Sequence, residues 1–259
     1  MREPTFRTAP AVRGFERSAE AYERGRPGYP ASVARHLARA LRLGPRRTVV
    51  ELGSGTGKFT RTLVPVGCAI VAVEPTAGMR RVFERTVPDI PVLPGTAEAI
   101  PLPDGLADAV VAAQAFQWFR PRPAMEEIAR VLRPGGGLGL VWNVRDESVG
   151  WMKAVSRILG RYNHAPQVRE RRWKAAFRAK GVPFPPPRMR RISHVQRATP
   201  SEVLDRFLSV SSIAILPAAD RRKVATEIRE LLRSDPMTRG RSYVDLPYDT
   251  EVYWTRLKR

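Results

Sequence analysis

Residues 48–60 read TVVELGSGTGKFT, a β-branched run, three alternating glycines and then a helical pattern. Glycine at 53 and 55 lets the backbone turn sharply and come within contact distance of a ligand, and Gly57 permits the next helix to pack closely on the strand. Such loops serve nucleotide chemistry in several forms. The phosphate-binding loop needs Gly, four residues, then Gly-Lys-Ser/Thr; here Gly57-Lys58 is followed by Phe59 and preceded at the required position by Leu52. The dinucleotide fingerprint needs glycines at 53, 55 and 58, and position 58 is Lys. What stands is Glu51-x-Gly53-x-Gly55-x-Gly57, with a second acid, Glu74, 23 residues after Glu51.

Other reactive side chains are few. The single cysteine, Cys68, excludes a disulfide framework and a Cys-ligated zinc or iron–sulfur centre. It begins the second strand, on the wrong side of a sheet for chemistry, and reads as buried filler. No metal is expected. Of the three histidines, His36 reads as structural, and His164 falls in a later segment where a general base would be useful. Trp118 and Asn143, at the ends of strands four and five, are the other catalytic candidates.

The elements that must position these residues alternate. Strands are expected at Thr48–Leu52, Ala69–Val73, Pro91–Leu93, Ala107–Ala113 and Gly137–Trp142. Helices are expected after Pro30 with Gly44 as their stop, from the glycine turn to Leu63, over Ala77–Phe83 and over Ala124–Leu132. Continuously apolar strands alternating with helices argue for a parallel sheet covered on both faces. Beyond it, helices are expected at Trp151–Leu159 and Trp173–Lys180, a strand near Arg190–Gln196, and a capping box at Thr199–Glu202. A helix carrying Val224, Ile228, Leu231 and Leu232 and a last strand in Tyr243–Leu257 complete the chain. One domain over 1–259 is expected: 1–45 as an N-terminal lid, 46–146 as the core, 147–198 as an insertion or cap, and 199–259 as C-terminal helices and the last strand.

ELGSGTG (Glu51–Gly57) resembles motif I of the class I S-adenosylmethionine-dependent methyltransferases at every position. Val71-Ala-Val-Glu74-Pro75, Pro94-Gly-Thr96-Ala97-Glu98-Ala-Ile-Pro, Asp108-Ala-Val-Val111 with Ala113 to Phe116 after it, and Arg130-Val-Leu-Arg133-Pro134-Gly135-Gly136 resemble the later motifs in order. Phe15…Tyr22…Arg26-Pro27…Tyr29-Pro30 resembles the N-terminal lid of the small-molecule, type 11 subgroup related to trans-aconitate and quinone-biosynthesis enzymes. The resemblance implies an α/β, Rossmann-like, seven-stranded and mostly parallel sheet with an antiparallel last strand, a lid and a helical insertion after strand five. It implies S-adenosyl-L-methionine as cofactor and S-adenosyl-L-homocysteine as product. Glu51, Gly53, Ser54, Gly55 and Gly57 would take the methionine part, Glu74 and Pro75 the ribose, and Thr96, Ala97 and Glu98 the adenine. Ala113 and Phe116 would border the site from strand four, and Tyr22 and Arg26 would close over the methionine end, with Arg26 pairing its carboxylate.

Charge supplies a competing reading. Lys and Arg number 45 against 25 Asp and Glu, a formal net charge of +20. Only six of the cations are lysine, so the base composition of a GC-rich genome is one explanation and an anionic partner another. Lys153–Arg197 holds thirteen basic residues against Glu170 alone, with Trp173 and Phe177 four apart among them. That stretch suits a solvated helix, a positive wall over an anionic small substrate, or an RNA surface. Against nucleic acid, the chain after strand four reads AQAFQWF rather than an Asn/Asp-Pro-Pro-aromatic motif. A small-molecule acceptor is the expectation, with RNA methylation the alternative. The N-terminus lacks the apolar core of a signal peptide and no stretch is long enough to span a bilayer, so no membrane partner and a cytoplasmic location are expected.

Overall fold

In the computed structural model, which describes residues 19–162, 172–178 and 180–258, the strands are β1 (Thr48–Leu52), β2 (Ala69–Val73), β3 (Val92–Leu93), β4 (Ala107–Ala113), β5 (Leu132–Arg145), β6 (Arg188–Ala198) and β7 (Val244–Arg256). They form one sheet in the order β3-β2-β1-β4-β5-β7-β6. The first five are parallel, with Val50 opposite Val71 on one side and Val110 on the other. β7 runs antiparallel to β5: Leu257 N–H bonds Gly136 O, and Asp146 N–H bonds Pro247 O, so one strand's numbering rises as the other's falls. This is the Rossmann-like sheet the sequence implied.

The helices are α1 (residues 19–25), α2 (Ala31–Leu41), α3 (Lys58–Leu63), α4 (Ala77–Thr86), α5 (Pro121–Val131), α6 (Gly150–Gly160), α7 (Pro200–Leu208), α8 (Ser211–Ala214) and α9 (Ala218–Ser234). None among the described residues is long and apolar enough to cross a membrane.

The described residues group into two compact units. The first draws on 29–142, 172–178, 180–192 and 250–258, the second on 19–28, 143–162 and 193–249. In the first, alternation along the strands sends side chains to two apolar clusters. Val50, Leu52, Val110, Leu138 and Leu140 join Met125 and Ile128 of α5 in one, and Val49, Val111 and Val141 join Leu37 and Leu41 of α2 in the other. The glycines of β5 make that second contact possible. A Cβ on Gly137 would lie 2.6 Å from Leu41 Cδ2, and one on Gly139 3.0 Å from Leu37 Cδ2. The second unit has its own core, in which Trp151, Val155, Phe207, Ile228, Leu246 and Tyr248 are buried together. Thr199 and Glu202 form the expected capping box at the start of α7.

Several boundaries differ from expectation, each for a local reason. α2 stops at Arg42, which takes the left-handed conformation (φ 56°), rather than at Gly44. α5 begins three residues early because Pro121 sits in the first turn, where its missing N–H costs nothing. β5 extends at both ends, since Leu132 already pairs with Ala107. Residues 172–178 form a 3₁₀ turn rather than a helix to Lys180, held by the buried rings of Trp173 and Phe177. Residues 172–178 and 180–192 group with the first unit.

Arg130 fastens the loop after β3 to α5. Its guanidinium donates to Ile100 O (3.0 Å), Leu102 O (2.9 Å), Asp104 (2.7 Å) and both oxygens of Glu127 (2.7 and 2.8 Å). Arg130→Met leaves those carbonyls without their donor and is expected to cost about 1–3 kcal/mol in urea unfolding. A change below about 0.5 kcal/mol would mean that water replaces it freely.

Candidate active site

The glycine turn leaves the carboxyl end of β1. Gly53 N–H bonds Val73 O at 2.8 Å, and Gly57 N–H bonds Ser54 O at 3.0 Å, which sets the turn before α3 begins. A Cβ on Gly53 would fall 2.7 Å from Ala115 Cβ, so the segment after β4 closes tightly on the turn. Gly55 faces open space, with no atom within 4 Å of an added Cβ. The hydroxyls of Ser54 and Thr56 are buried without a hydrogen-bond partner among the described residues. Buried hydroxyls normally find partners, so this turn is built for a polar ligand.

Two buried carboxylates flank it. Glu51 is 1% exposed, and its Oε2 accepts the Thr60 hydroxyl at 2.6 Å. Burial pushes its pKa up to about 8 against the pull of Thr60, and the nearby charge of Glu74 adds to the rise. Glu74, 5% exposed, accepts Gly55 N–H at 3.0 Å through Oε2 and Thr76 N–H at 2.9 Å through Oε1. Burial raises its pKa too, opposed by those two bonds. Arg80 Nη1 donates to Glu74 O and Pro75 O, fixing the strand end that carries the carboxylate. The Thr76 side chain also hydrogen-bonds to the Glu74 carboxylate, and of its roughly four acceptor positions these three bonds leave about one for a ligand hydroxyl.

The remaining expected residues divide. Ala97 is buried, and Thr96 bridges to Ala99 in the loop after β3. Glu98 accepts Arg120 N–H at 2.7 Å and so also caps the start of α5. Ala113 ends β4, and Phe116 is buried with its ring 5.5 Å from Phe119 and stacked on Phe177 at 6.0 Å. Trp118 closes the short 3₁₀ turn Phe116–Trp118. Tyr22, Arg26 and Asn143 belong to the second unit. There Arg26 Nη2 donates to Ser209 O at 2.9 Å, its guanidinium lies 4.9 Å from the Tyr22 ring centre, and Asn143 Nδ2 donates to Gly28 O at 3.0 Å. His164 lies outside the described residues. Cys68 is buried just before β2, away from the strand ends that carry the turn.

Three contributors were not read from the sequence. Thr60 holds Glu51, and Arg80 holds the Glu74 strand end. Gln114, directly after β4, has φ 56° and takes a hydrogen bond from its neighbour Gln117 on its carbonyl. A non-glycine residue in that region is a place where backbone strain collects at functional sites. Its type carries no signal of this.

A family described as a methyltransferase domain matches residues 50–140. An uncharacterized methyltransferase of Mycobacterium tuberculosis is 40% identical over 236 residues, covering 91% of this chain and 92% of the relative. An uncharacterized methyltransferase-like protein of Schizosaccharomyces pombe is 35% identical over 244 residues, covering 93% and 94%. A solved protein of Anaeromyxobacter dehalogenans assigned as a type II methyltransferase superposes with a TM-score of 0.66 at 24% identity, over 90% of this chain and 97% of that one, a likeness of fold. With the glycine turn, its two buried acids and this sheet order, the chain belongs to the class I S-adenosylmethionine-dependent methyltransferases.

Proposed function

We propose that the chain binds S-adenosylmethionine at the glycine turn and transfers its methyl group to a small-molecule acceptor. The observation that carries the cofactor is the turn itself: buried hydroxyls at Ser54 and Thr56 without a partner among the described residues, open space at Gly55, and the buried Glu74 carboxylate fixed beside them. Gly53, Ser54, Gly55 and Gly57 take the methionine part beside Glu51. Glu74 and Pro75 take the ribose, Thr96 to Glu98 the adenine, and Ala113 and Phe116 the near edge. The assignment of Tyr22 and Arg26 to the methionine end rests on the resemblance of the N-terminal segment, where a guanidinium would suit a carboxylate. The bound sulfonium supplies an electrophilic methyl carbon, and the chain's part is to align an acceptor with it and exclude water.

The preference for a small acceptor over RNA rests on the aromatics of the cation-rich stretch. Trp173 is 8% exposed and stacks on Trp142 at 4.4 Å, and Phe177 is 5% exposed against Phe116. Neither ring is available as a platform for bases. The arginines of 188–197 lie on β6, at the edge of the sheet, where charge guards an exposed strand against pairing with other chains.

Calorimetric titration with S-adenosylmethionine, after nucleic acid is stripped at high salt, tests the cofactor. One-to-one binding is expected, and Glu74→Ala weakens it at least about tenfold, the worth of a hydrogen bond to a charged group. Unchanged affinity in the variant removes Glu74 from the site. A methyl-transfer screen then sets small acceptors, anionic ones first, against RNA; label appearing only in RNA would reverse the choice of acceptor.

A further inference from the structure

A second cavity, of about 420 Å³, opens in the first unit at the opposite end of the parallel strands. Its walls carry Arg42, Arg47, Arg133 and Arg256 around one carboxylate, Asp108, with the Gly135 turn beside them. β4 and β5 begin here, whereas the glycine turn lies where β1 finishes. The seven residues of β4 therefore separate the two places by about 20 Å at the usual strand rise.

The charges in this cavity do not balance. Asp108 is fully engaged: Oδ1 accepts Arg47 Nη1 at 2.8 Å, Oδ2 accepts Thr48 N–H at 2.8 Å, and Arg133 Nη1 reaches Oδ2 at 3.2 Å. Two cations already share that one negative charge. Arg256 is held on two carbonyls, Gly135 O and Ala40 O, both at 3.1 Å, with no acid paired to it among the described residues. Burial, and then the charge of Arg42, push the Arg256 guanidinium below its ordinary pKa. Arg42 reaches this wall from the left-handed residue that ends α2, a conformation costly for an arginine. A chain that only needed to end this helix would use glycine there.

We propose that this cavity binds a small polyphosphate, such as pyrophosphate or the phosphate tail of a nucleotide, at a site separate from methyl transfer. Arg42 and Arg256 supply the uncompensated charge. The planar guanidinium fork matches phosphate oxygens, and the volume lies in the range of small-ligand sites. A nucleic-acid backbone favours an extended positive track instead; here the cations are gathered in one concave pocket around a single acid, partly open to solvent.

Calorimetric titration of the full chain with inorganic pyrophosphate at low ionic strength tests this. One-to-one saturation is expected. Arg42→Asn, chosen because asparagine tolerates left-handed backbone, weakens binding about tenfold, the worth of one charge-assisted hydrogen bond. Arg122→Gln, the same charge change on the exposed face of α5, leaves it unaltered. Asp108→Asn tightens it, a direction that loss of folding cannot produce. Titration with S-adenosylmethionine is the same in wild type and Arg42→Asn. Absence of saturation, equal losses in Arg42→Asn and Arg122→Gln, or tighter binding of a short RNA than of pyrophosphate with a steeper salt dependence would each overturn the proposal.

Discussion

Replacing Glu51 with glutamine is expected to stabilise the folded chain more and more as pH rises from about 5 to 8. The unfolded carboxyl titrates near 4.5, whereas burial lifts the folded one to about 8. Between those values the folded chain keeps a proton that the unfolded chain has released. Stability is therefore full below 4.5 and is lost as pH climbs through about 8, at about 1.4 kcal/mol per unit. Over the whole window, from 4.5 to about 8, the loss is on the order of 5 kcal/mol. Glutamine carries no ionisation, and its carbonyl still accepts from Thr60, so the variant lacks this slope. Urea unfolding of both proteins at pH 5, 6, 7 and 8 measures the gap. Parallel curves would mean that Glu51 is ionised in the fold. Glu74 also has a raised pKa and its charge acts on Glu51, so the difference between the curves reads Glu51 together with its coupling to Glu74. The same linkage gives the proposed cofactor a pH dependence. A cationic ligand beside Glu51 favours the ionised carboxylate, so affinity rises toward pH 8 in wild type and stays flatter in Glu51→Gln.

The strands around this pair were legible because their side chains announce burial on both faces. VVEL, AIVAV and ADAVVAA are apolar without alternation, and their spans match the structure residue for residue. What failed to show was information that no single residue type carries. Gly44 looks like a helix stop, yet Arg42 takes the left-handed position. Pro121 and Pro123 look like breakers, yet both fit the first turn of α5. α8 is too short to show a period. The glycine turn was readable because glycine is demanded by backbone geometry at fixed spacing. Its supports, Thr60, Arg80 and Gln114, act through distances that arise only once α3, α4 and β4 have packed. Trp173 and Phe177 make the point from the other side: four apart among cations, they suit several surfaces, and only the stacking on Trp142 and Phe116 selects burial.

Gly57→Val and Gly55→Ala are expected to fail in different ways, and the contrast separates the scaffold from the binding surface. Gly57 caps α3 with φ 82°, and a Cβ there would lie 2.5 Å from Val87 Cγ2 and 3.0 Å from Phe83 Cδ2. Left-handed backbone costs a non-glycine residue about 1–2 kcal/mol, most for a β-branched one. Forcing methyl groups into packed side chains adds about 1–3 kcal/mol. Valine at 57 is thus expected to remove about 2–5 kcal/mol, a large part of a typical domain's stability, and to lower the thermal midpoint by many degrees. Gly55 shares the left-handed backbone (φ 58°) but has no neighbour within 4 Å of the added carbon. Alanine there meets the backbone cost alone, while its methyl stands in the space assigned to the methionine part of the cofactor. Urea unfolding and S-adenosylmethionine titration on both variants read the two effects apart. Gly57→Val loses stability first; Gly55→Ala keeps most of its stability and loses affinity. If Gly55→Ala binds as wild type does, the ligand does not approach this backbone, and the turn serves only to join β1 to α3.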